Sequence, residues 1–158
     1  MSKIGIIINP HSKKIMRMKS DPVEFYKKIG GDSVEVRLTR NEDDIIKAAK
    51  DFKKLGVSYL AISGGDGSIH LVTSKFLSIY KKNLPSILLL KDGSMNLVSK
   101  SLNLKGKGQD ILNRLLNTIK SGGQVDIANR NTIKVNDMYC FLFGLGFVSN
   151  YINEFNRG

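Results

Sequence analysis

Short apolar segments alternate with amphipathic segments through the first 120 residues, and this alternation restricts the possible folds more than any other feature of the sequence. Strands separated by helices favour parallel pairing, because each helix provides the crossover between neighbouring strands. The predicted strands comprise residues 3–9, 34–38, 59–62 and 87–90. The predicted helices comprise residues 22–29, 41–55, 68 to about 76 or 80, a short segment after 96, and 109–120. The sequence therefore predicts an α/β fold, with helices on both faces of a parallel sheet in a three-layer arrangement.

The pattern changes after Gly122-Gly123, where predicted strands follow one another without intervening helices. These strands comprise residues 125–128, 132–135 and 138–143, and Asn136-Asp137 is a plausible hairpin turn between the last two. We therefore expect an α/β lobe at residues 1–123 and the beginning of a β lobe at residues 124–158. This second region ends before it has enough strands to close a core of its own.

The second region is also rich in apolar side chains. They are Phe141, Leu142, Phe143, Leu145 and Phe147. An incomplete set of strands that exposes such side chains has an adhesive edge. We therefore expect either self-association through residues 125–158 or packing of this segment back onto the α/β lobe.

The composition, with 41% hydrophobic and 25% charged residues, is that of a globular protein. No stretch approaches the roughly 18 apolar residues of a membrane-spanning helix, and no secretory signal precedes the first strand. The single cysteine, Cys140, has no partner for an internal disulfide. These features exclude collagen, coiled-coil, disulfide-scaffold and integral membrane classes, and they predict a cytoplasmic location.

The chain carries a formal net charge of +11, which attracts polyanions such as nucleic acid, anionic lipid or a nucleoside triphosphate. Between residues 70 and 109, Asp92 is the only acidic residue among several lysines. A general lysine bias in composition would produce the same excess, so charge does not select the partner. Because these lysines are not interleaved with aromatic residues and no recognition motif is present, we expect no specific nucleic acid partner.

A glycine-rich turn at Ser63–Ser68 joins a predicted buried strand to a predicted helix. Its glycines allow a bulky anion to approach the backbone, and the helix N-terminus that follows favours negative charge. A plain strand-to-helix turn has the same composition and needs no ligand. The sequence has neither a P-loop nor the third glycine of a dinucleotide-binding fingerprint, so the usual nucleotide motifs are absent.

Asp66 is an unexpected acid within this turn, because a carboxylate repels phosphate. Two functional roles fit it: holding Mg²⁺ against phosphates, or accepting a proton from a hydroxyl nucleophile. The alternative is a structural role as a helix cap or Asx turn.

Three other polar segments also follow predicted strands: Asn9-Pro10, Thr39 and Gly93–Asn96. In an open parallel sheet, ligands bind beyond the carboxyl ends of the strands. We therefore expect these segments to meet the turn at Ser63–Ser68 along one edge of the sheet and to form a single site there.

Taken together, these motifs resemble the diacylglycerol kinase catalytic domain family, which includes sphingosine kinases, ceramide kinases and bacterial lipid kinases. The family pattern runs Asn-Pro, a strand-end Thr, Gly-Gly-Asp-Gly-Thr, and Gly-Thr-x-Asn. This sequence has Asn9-Pro10 with Ser12, Thr39, Gly64-Gly65-Asp66-Gly67-Ser68 and Gly93-Ser94-Met95-Asn96 in that order. The resemblance covers residues 3 to about 150, whereas the Gly-Gly-Asp-Gly element alone is shared with NAD kinases and, more loosely, phosphofructokinases.

The resemblance implies a phosphofructokinase/NAD kinase-like N-terminal lobe followed by a β-sandwich lobe, with the nucleotide held between them. It implies ATP- and Mg²⁺-dependent phosphorylation of a lipid hydroxyl, in lipid metabolism or phospholipid biosynthesis, at an anionic membrane surface visited peripherally. Residues Gly65–Leu71 would surround the phosphates, Ser94 would offer them a hydroxyl, and Asp66 would face Mg²⁺ or accept a proton. The residues expected to bind ATP are Asn9, Pro10, His11, Ser12, Lys13, Thr39, Gly64, Gly65, Asp66, Gly67, Ser68, Ile69, His70, Gly93, Ser94 and Asn96.

The sequence also departs from the family pattern. Ser68 and Ser94 replace Thr, Leu71 stands where Glu is common, and Lys13 stands where Gly is frequent. Lys91-Asp92 replaces the usual Pro-Gly or Pro-Leu. The family takes further metal-binding and general-base residues from the β lobe, most of which this chain lacks. An NAD kinase-like enzyme and a non-catalytic nucleotide-binding or regulatory module therefore remain as alternatives.

Overall fold

The structure is a computed structural model that describes residues 3–142. The strands are β1 (Lys3–Ile8), β2 (Val34–Leu38), β3 (Val57–Ser63), β4 (Ser86–Leu89), β5 (Ile133–Val135) and β6 (Met138–Cys140). The helices are α1 (Lys13–Met16), α2 (Pro22–Gly30), α3 (Glu42–Lys54), α4 (Asp66–Tyr80), α5 (Leu97–Ser101) and α6 (Gly108–Lys120). Short 3₁₀ helices at Gly31–Ser33 and Lys81–Asn83 follow α2 and α4.

The first four strands form one parallel sheet in the order β2-β1-β3-β4. Ile8 lies beside Leu38 of β2 and Ser63 of β3, so these three strands end at the same level. The loops that follow them therefore meet along one edge of the sheet, where open parallel sheets bind their ligands. The predicted parallel sheet is confirmed.

Helices cover both faces of this sheet, which confirms the three-layer arrangement. Helices α3 and α4 pack on one face, and α2 and α6 pack on the other. Because side chains alternate along a strand, Ile7 contacts the α3/α4 layer while Ile6 and Ile8 contact the α2/α6 layer. Burial on both faces explains why β1 is apolar at almost every position.

Two helices begin at side chains that cap them. The Asp21 carboxylate accepts hydrogen bonds from the backbone N–H groups of Val23 and Glu24, and Pro22 occupies the first helical position. The Asn41 side chain accepts from the N–H of Asp44 at the start of α3. Such caps satisfy backbone donors that a helix leaves unpaired, and each stabilises by about 1 kcal/mol.

Several boundaries differ from the prediction. Helix α1 lies between the predicted first strand and the predicted helix at residues 22–29, where the sequence predicts no element, and its buried Ile15 packs into the α2/α6 layer. Helix α4 begins at Asp66, before the predicted start at Ser68. A helix of four residues is too short to show a periodic signal, and sequence patterns place helix ends only approximately.

The prediction of a strand at residues 125–128 is wrong. This segment has no regular secondary structure, and Ile127 is 59% exposed. Val125 packs partly against the α2/α6 layer. A strand needs a neighbouring strand for its backbone hydrogen bonds, and none of the described strands pairs with this segment.

Strands β5 and β6 form the predicted antiparallel hairpin, with Asn136 in a left-handed conformation at the turn. The hairpin packs on α4, where the Ser74 hydroxyl accepts from Tyr139 N–H at 2.8 Å and donates to His70 C=O at 2.7 Å. For the described part of the second region, packing onto the α/β lobe is therefore observed. Phe143, Leu145 and Phe147 lie outside the described residues, and the lobe boundary at residue 123 and self-association stay predictions.

None of the helices within residues 3–142 combines the length and the apolar composition needed to cross a lipid bilayer.

Candidate functional site

A cleft of about 730 Å³ opens at the carboxyl ends of β1, β2 and β3. Its walls include most of the polar residues that the sequence predicts at this edge. Lining residues from the predicted set are Asn9, His11, Ser12, Lys13, Thr39, Gly65, Gly67, Ser68, Gly93 and Ser94. The four motifs are thus brought together in one place, as the parallel topology requires.

The turn at Ser63–Ser68 and the turn at Gly93–Asn96, named here the first and second glycine-rich loops after the glycines at which they meet, touch each other at the base of the cleft. A Cβ atom on Gly93 would clash with the backbone of Gly65, so this position accepts only glycine without a shift of one loop. A Cβ atom on Gly64 would lie 2.5 Å from the Ser68 side chain. Glycines at these points bring backbone N–H groups and the N-terminus of α4 to the cleft surface.

Asn9 connects the loop that follows β1 to α4. Its side-chain amide donates to the Ser68 hydroxyl at 2.8 Å, and its side-chain carbonyl accepts from the His11 N–H at 2.9 Å. Its backbone N–H donates to Ser63 C=O at 2.9 Å, which extends the β1–β3 ladder by one residue. The Asn9 side chain therefore fixes the position of the Ser68 hydroxyl and the course of the loop above it.

Thr39 is buried at the end of β2, and its hydroxyl donates to Ile8 C=O at 3.4 Å, a long and weak hydrogen bond. The Ser12 hydroxyl is buried and has no hydrogen-bond partner among the described residues. A buried polar group without a partner costs free energy unless a ligand or water satisfies it. Both hydroxyls are therefore suited to binding a polar ligand in the cleft.

Asp66 does not line the cleft. Its two carboxylate oxygens accept hydrogen bonds from the N–H groups of Leu97 and Val98, both at 3.0 Å. Asp66 therefore caps α5, a helix far away in sequence, and joins the first glycine-rich turn to the second. Each oxygen retains a lone pair, so a role toward Mg²⁺ stays a prediction.

Asn96 also stabilises the second loop instead of reaching the cleft. It adopts a left-handed conformation, its side-chain oxygen accepts from Gly93 N–H at 3.1 Å, and its amide donates to Gly93 C=O at 2.8 Å. These bonds close a tight loop that presents Ser94 to the cleft.

The structure does not bring four other predicted residues to the cleft wall: Pro10, Gly64, Ile69 and His70. Ile69 is buried in the core between the sheet and α4. His70 lies near Phe141, with ring centroids 6.3 Å apart. Burial lowers the pKa of His70, and the nearby charge of Asp66 opposes that shift.

Some lining residues were not predicted. They are Met16, Arg40, Asn41, Ile45 and Val72, whereas Leu71 lies within the range expected to surround the phosphates. Arg40 and Asn41 directly follow Thr39 at a strand end, so the edge rule that selected Thr39 also applies to them. The apolar residues come from α1, α3 and α4 and carry no local signal in the sequence.

The cleft is electropositive. Lys13 and Arg40 line it, and no carboxylate of the described residues does. Nor do these residues contain a group of three or more potential ligands from His, Cys, Asp and Glu that could hold a metal ion. The side chains of the cleft therefore fit a molecule that bears phosphate groups. A metal ion bound here would need coordinating oxygens from that molecule as well as from the protein.

The family model described as diacylglycerol kinase catalytic domain matches residues 3–128. The chain belongs to this family. The range that matches the diacylglycerol kinase model includes both glycine-rich loops, which meet at the base of the cleft. The resemblance seen in the sequence motifs is thereby confirmed.

Relatives in the diacylglycerol kinase family include proteins named "Probable lipid kinase YegS" from Escherichia coli O127:H6 (strain E2348/69 / EPEC) and Shigella boydii serotype 18 (strain CDC 3083-94 / BS512). Each is 25% identical to this chain over 112 residues. The match covers 71% of this chain and 35% of the relative, so the chain spans about a third of the length of these curated relatives.

The fold is similar to the crystal structure of a diacylglycerol kinase from Bacillus anthracis str. Sterne, with a TM-score of 0.64 and 15% sequence identity. The superposition covers 87% of this chain and 45% of that protein. The expected α/β lobe of a diacylglycerol kinase-type protein is thus confirmed as a fold.

Proposed function

We propose that this chain is the nucleotide-binding lobe of an ATP-dependent lipid kinase. In the proposed reaction, the oxygen of a lipid hydroxyl forms a bond to the γ-phosphorus of ATP while the bond from that phosphorus to the β-phosphate oxygen breaks. ADP leaves, and the hydroxyl proton passes to a base. The observation that carries the proposal is the contact between Gly65 and Gly93, which joins two glycine-rich loops at the base of an electropositive cleft.

The charges of the cleft support a triphosphate as ligand. Lys13 and Arg40 supply cations, and the N-terminus of α4 contributes backbone donors and a favourable dipole. A charge at a helix N-terminus gains only about 0.3–1 kcal/mol, so several convergent donors are needed. The hydroxyls of Ser12, Ser68 and Ser94 add neutral donors around the same space.

Phosphoryl transfer depends on positioning and charge stabilisation more than on covalent chemistry by the protein. A bound Mg²⁺ would supply positive charge that neutralises part of the charge of the phosphates. Asp66 is our candidate for the acid of this lobe that faces the ion, because its oxygens keep free lone pairs after capping α5. We place the remaining metal ligands and the general base in the part of the kinase that this chain does not span.

A non-catalytic nucleotide-binding or regulatory module is the second candidate function. It is favoured by the apolar Leu71 in the cleft wall and by the lack of a carboxylate among the described lining residues. Such a module binds ATP but transfers no phosphate. The match to the diacylglycerol kinase model makes an NAD kinase-like activity the weakest of the three.

Calorimetric titration of the chain with ATP, with and without Mg²⁺, tests nucleotide binding. We expect Mg²⁺ to strengthen binding and Asp66→Asn to reduce the affinity for Mg²⁺–ATP about tenfold, because the substitution removes the anionic ligand. Asp110→Asn is the matched control, since Asp110 also caps a helix through its carboxylate but lies in α6, away from the cleft. No binding at millimolar ATP would overturn the proposal.

Transfer of labelled γ-phosphate then separates the candidate functions. The acceptors are diacylglycerol, sphingosine and ceramide in mixed micelles, and NAD in solution. A labelled lipid supports the kinase, and labelled NAD supports the NAD kinase-like alternative. ATP binding without any transfer, even at high protein concentration, supports the non-catalytic module.

A further inference from the structure

A buried carboxylate lies behind the second glycine-rich loop and joins three elements of the fold. The Asp92 side chain accepts hydrogen bonds on the same oxygen from the Tyr26 hydroxyl at 2.8 Å and from the Ser63 hydroxyl at 2.7 Å. Tyr26 belongs to α2, Ser63 ends β3, and Asp92 directly precedes Gly93. All three side chains are buried.

Hydroxyl groups, not a cation, hold this carboxylate. Within residues 3–142 no lysine, arginine or histidine forms an ion pair with Asp92. A buried carboxylate without a cation is costly unless hydrogen bonds satisfy it, so the two donors must keep their geometry. Burial and the charge of Asp92 both raise the pKa of Tyr26 above its ordinary value, so the phenol stays protonated and continues to donate.

The backbone of Asp92 makes a further hydrogen bond, longer and weaker than those of its side chain. Its C=O accepts from the Lys14 N–H of α1 at 3.3 Å, and the Lys14 ammonium contacts the neighbouring Lys91 C=O. The next residue, Gly93, touches the backbone of Gly65. Asp92 therefore lies where the second loop is connected to the sheet, to α2 and to α1, one residue before the contact between the two loops.

We propose that Asp92 is a positioning residue, which through Tyr26 and Ser63 holds the second glycine-rich loop against the first at the separation that a phosphate chain needs. Asp92 itself does not line the cleft; it acts through Gly93 and Ser94, which do. The inference rests on the proposed nucleotide-binding function and adds a specific determinant of phosphate affinity.

Tyr26→Phe tests the inference, because it removes one hydroxyl from the network and keeps the aromatic ring. Tyr80→Phe is the matched control: the Tyr80 hydroxyl is also buried but has no hydrogen-bond partner among the described residues. Affinities of the full chain for ATP, ADP and adenosine are measured by calorimetry. We expect Tyr26→Phe to weaken ATP and ADP binding about tenfold, as for loss of a hydrogen bond to a charged group, and to leave adenosine binding unchanged.

Amide hydrogen exchange of the free protein provides a second readout that needs no nucleotide. We expect faster exchange at Gly93 and Ser94 in Tyr26→Phe but not in Tyr80→Phe, because only the first releases the loop. Asp92→Asn, which preserves the shape of the side chain but removes its charge, should show the same pattern as Tyr26→Phe.

Two results would overturn the inference. Equal weakening of ATP and adenosine binding by Tyr26→Phe would mean that the network serves general stability, and identical behaviour of the two Tyr→Phe variants would mean that it serves neither loop nor ligand. If the unmodified chain binds no ATP, the proposed function fails, and the exchange comparison still decides whether Asp92 holds the loop.

Discussion

Gly93 shows how a single residue connects the fold to its site. A Cβ atom at this position would meet the Gly65 backbone, which cannot rotate away as a flexible side chain could. A Cβ atom on Gly67, in the first turn of α4, would meet nothing within 4 Å. The two glycines line the same cleft, but only Gly93 lacks the space for a side chain.

We therefore expect opposite effects on stability from the same substitution at the two glycines. Gly93→Ala should lower the free energy of unfolding by about 1–3 kcal/mol, the usual cost of forcing an extra carbon into a packed site. Gly67→Ala should leave it unchanged or raise it by up to about 1 kcal/mol, since alanine is the better helix residue. Urea denaturation of both variants measures the difference, and equal stabilities would show that the loops separate without cost.

Among the elements, α4 contacts two that are distant from it in sequence, α5 and β6. Its first residue, Asp66, caps α5, and the hydroxyl of Ser74 in its middle accepts from the backbone N–H of Tyr139 in β6. His70 lies between these points, near Phe141. Helix α4 therefore links the second glycine-rich loop to the hairpin.

The burial of His70 predicts a pH dependence of stability. Because burial lowers its pKa in the folded chain, the unfolded chain binds the proton more readily, with an ordinary pKa of about 6.5. Stability is then complete above that value and decreases as the pH falls through it, until the folded pKa is reached. We expect the free energy of unfolding to decrease as the pH is lowered from about 7 through the ordinary histidine pKa.

Thermal denaturation of the unmodified chain and of His70→Gln across this pH range measures how much His70 contributes to the pH dependence of stability. That contribution should be absent in the variant. His11→Gln, at the exposed mouth of the cleft, is the control because His11 is the only other histidine. An unchanged pH profile in His70→Gln would assign the dependence to other groups.

For the whole molecule, the net charge of +11 is the property that most affects its attraction to a charged membrane surface. We propose that it brings the chain to anionic membranes, where a lipid substrate resides. Each well-placed lysine or arginine contributes about 1 kcal/mol near an anionic surface, and salt screens the attraction. The chain should sediment with phosphatidylserine-containing vesicles at low salt, be released at about 0.5 M salt, and not sediment with phosphatidylcholine vesicles. Equal binding to both vesicle types would exclude an electrostatic origin.

The expected self-association through residues 125–158 is also a property of the whole molecule. The hairpin already packs on α4, which removes part of the apolar surface that would drive it. Leu142 and Met138 remain partly exposed beside it.

Much of this protein was readable from local pattern. The apolar runs and helical periodicities of the first 120 residues predicted four strands and the helices between them, and the turn residues at Asn9, Thr39, Ser63–Ser68 and Gly93–Asn96 predicted a site at one sheet edge. These signals are local, because turn conformation, helix capping and side-chain periodicity depend on residues close together in the chain.

Contacts between residues distant in sequence were not readable in this way. The sequence left Asp66 between a catalytic and a capping role, and its pairing with Leu97 and Val98 depends on how two loops stack. Residues 125–128 alternate like a strand, yet they form none because no described strand offers them an edge. The Asp92 network likewise needs α2, β3 and the second loop in place. Periodicity specifies which elements form, whereas the packing of those elements specifies which polar groups meet, since each buried donor or acceptor must find a partner that packing brings within reach.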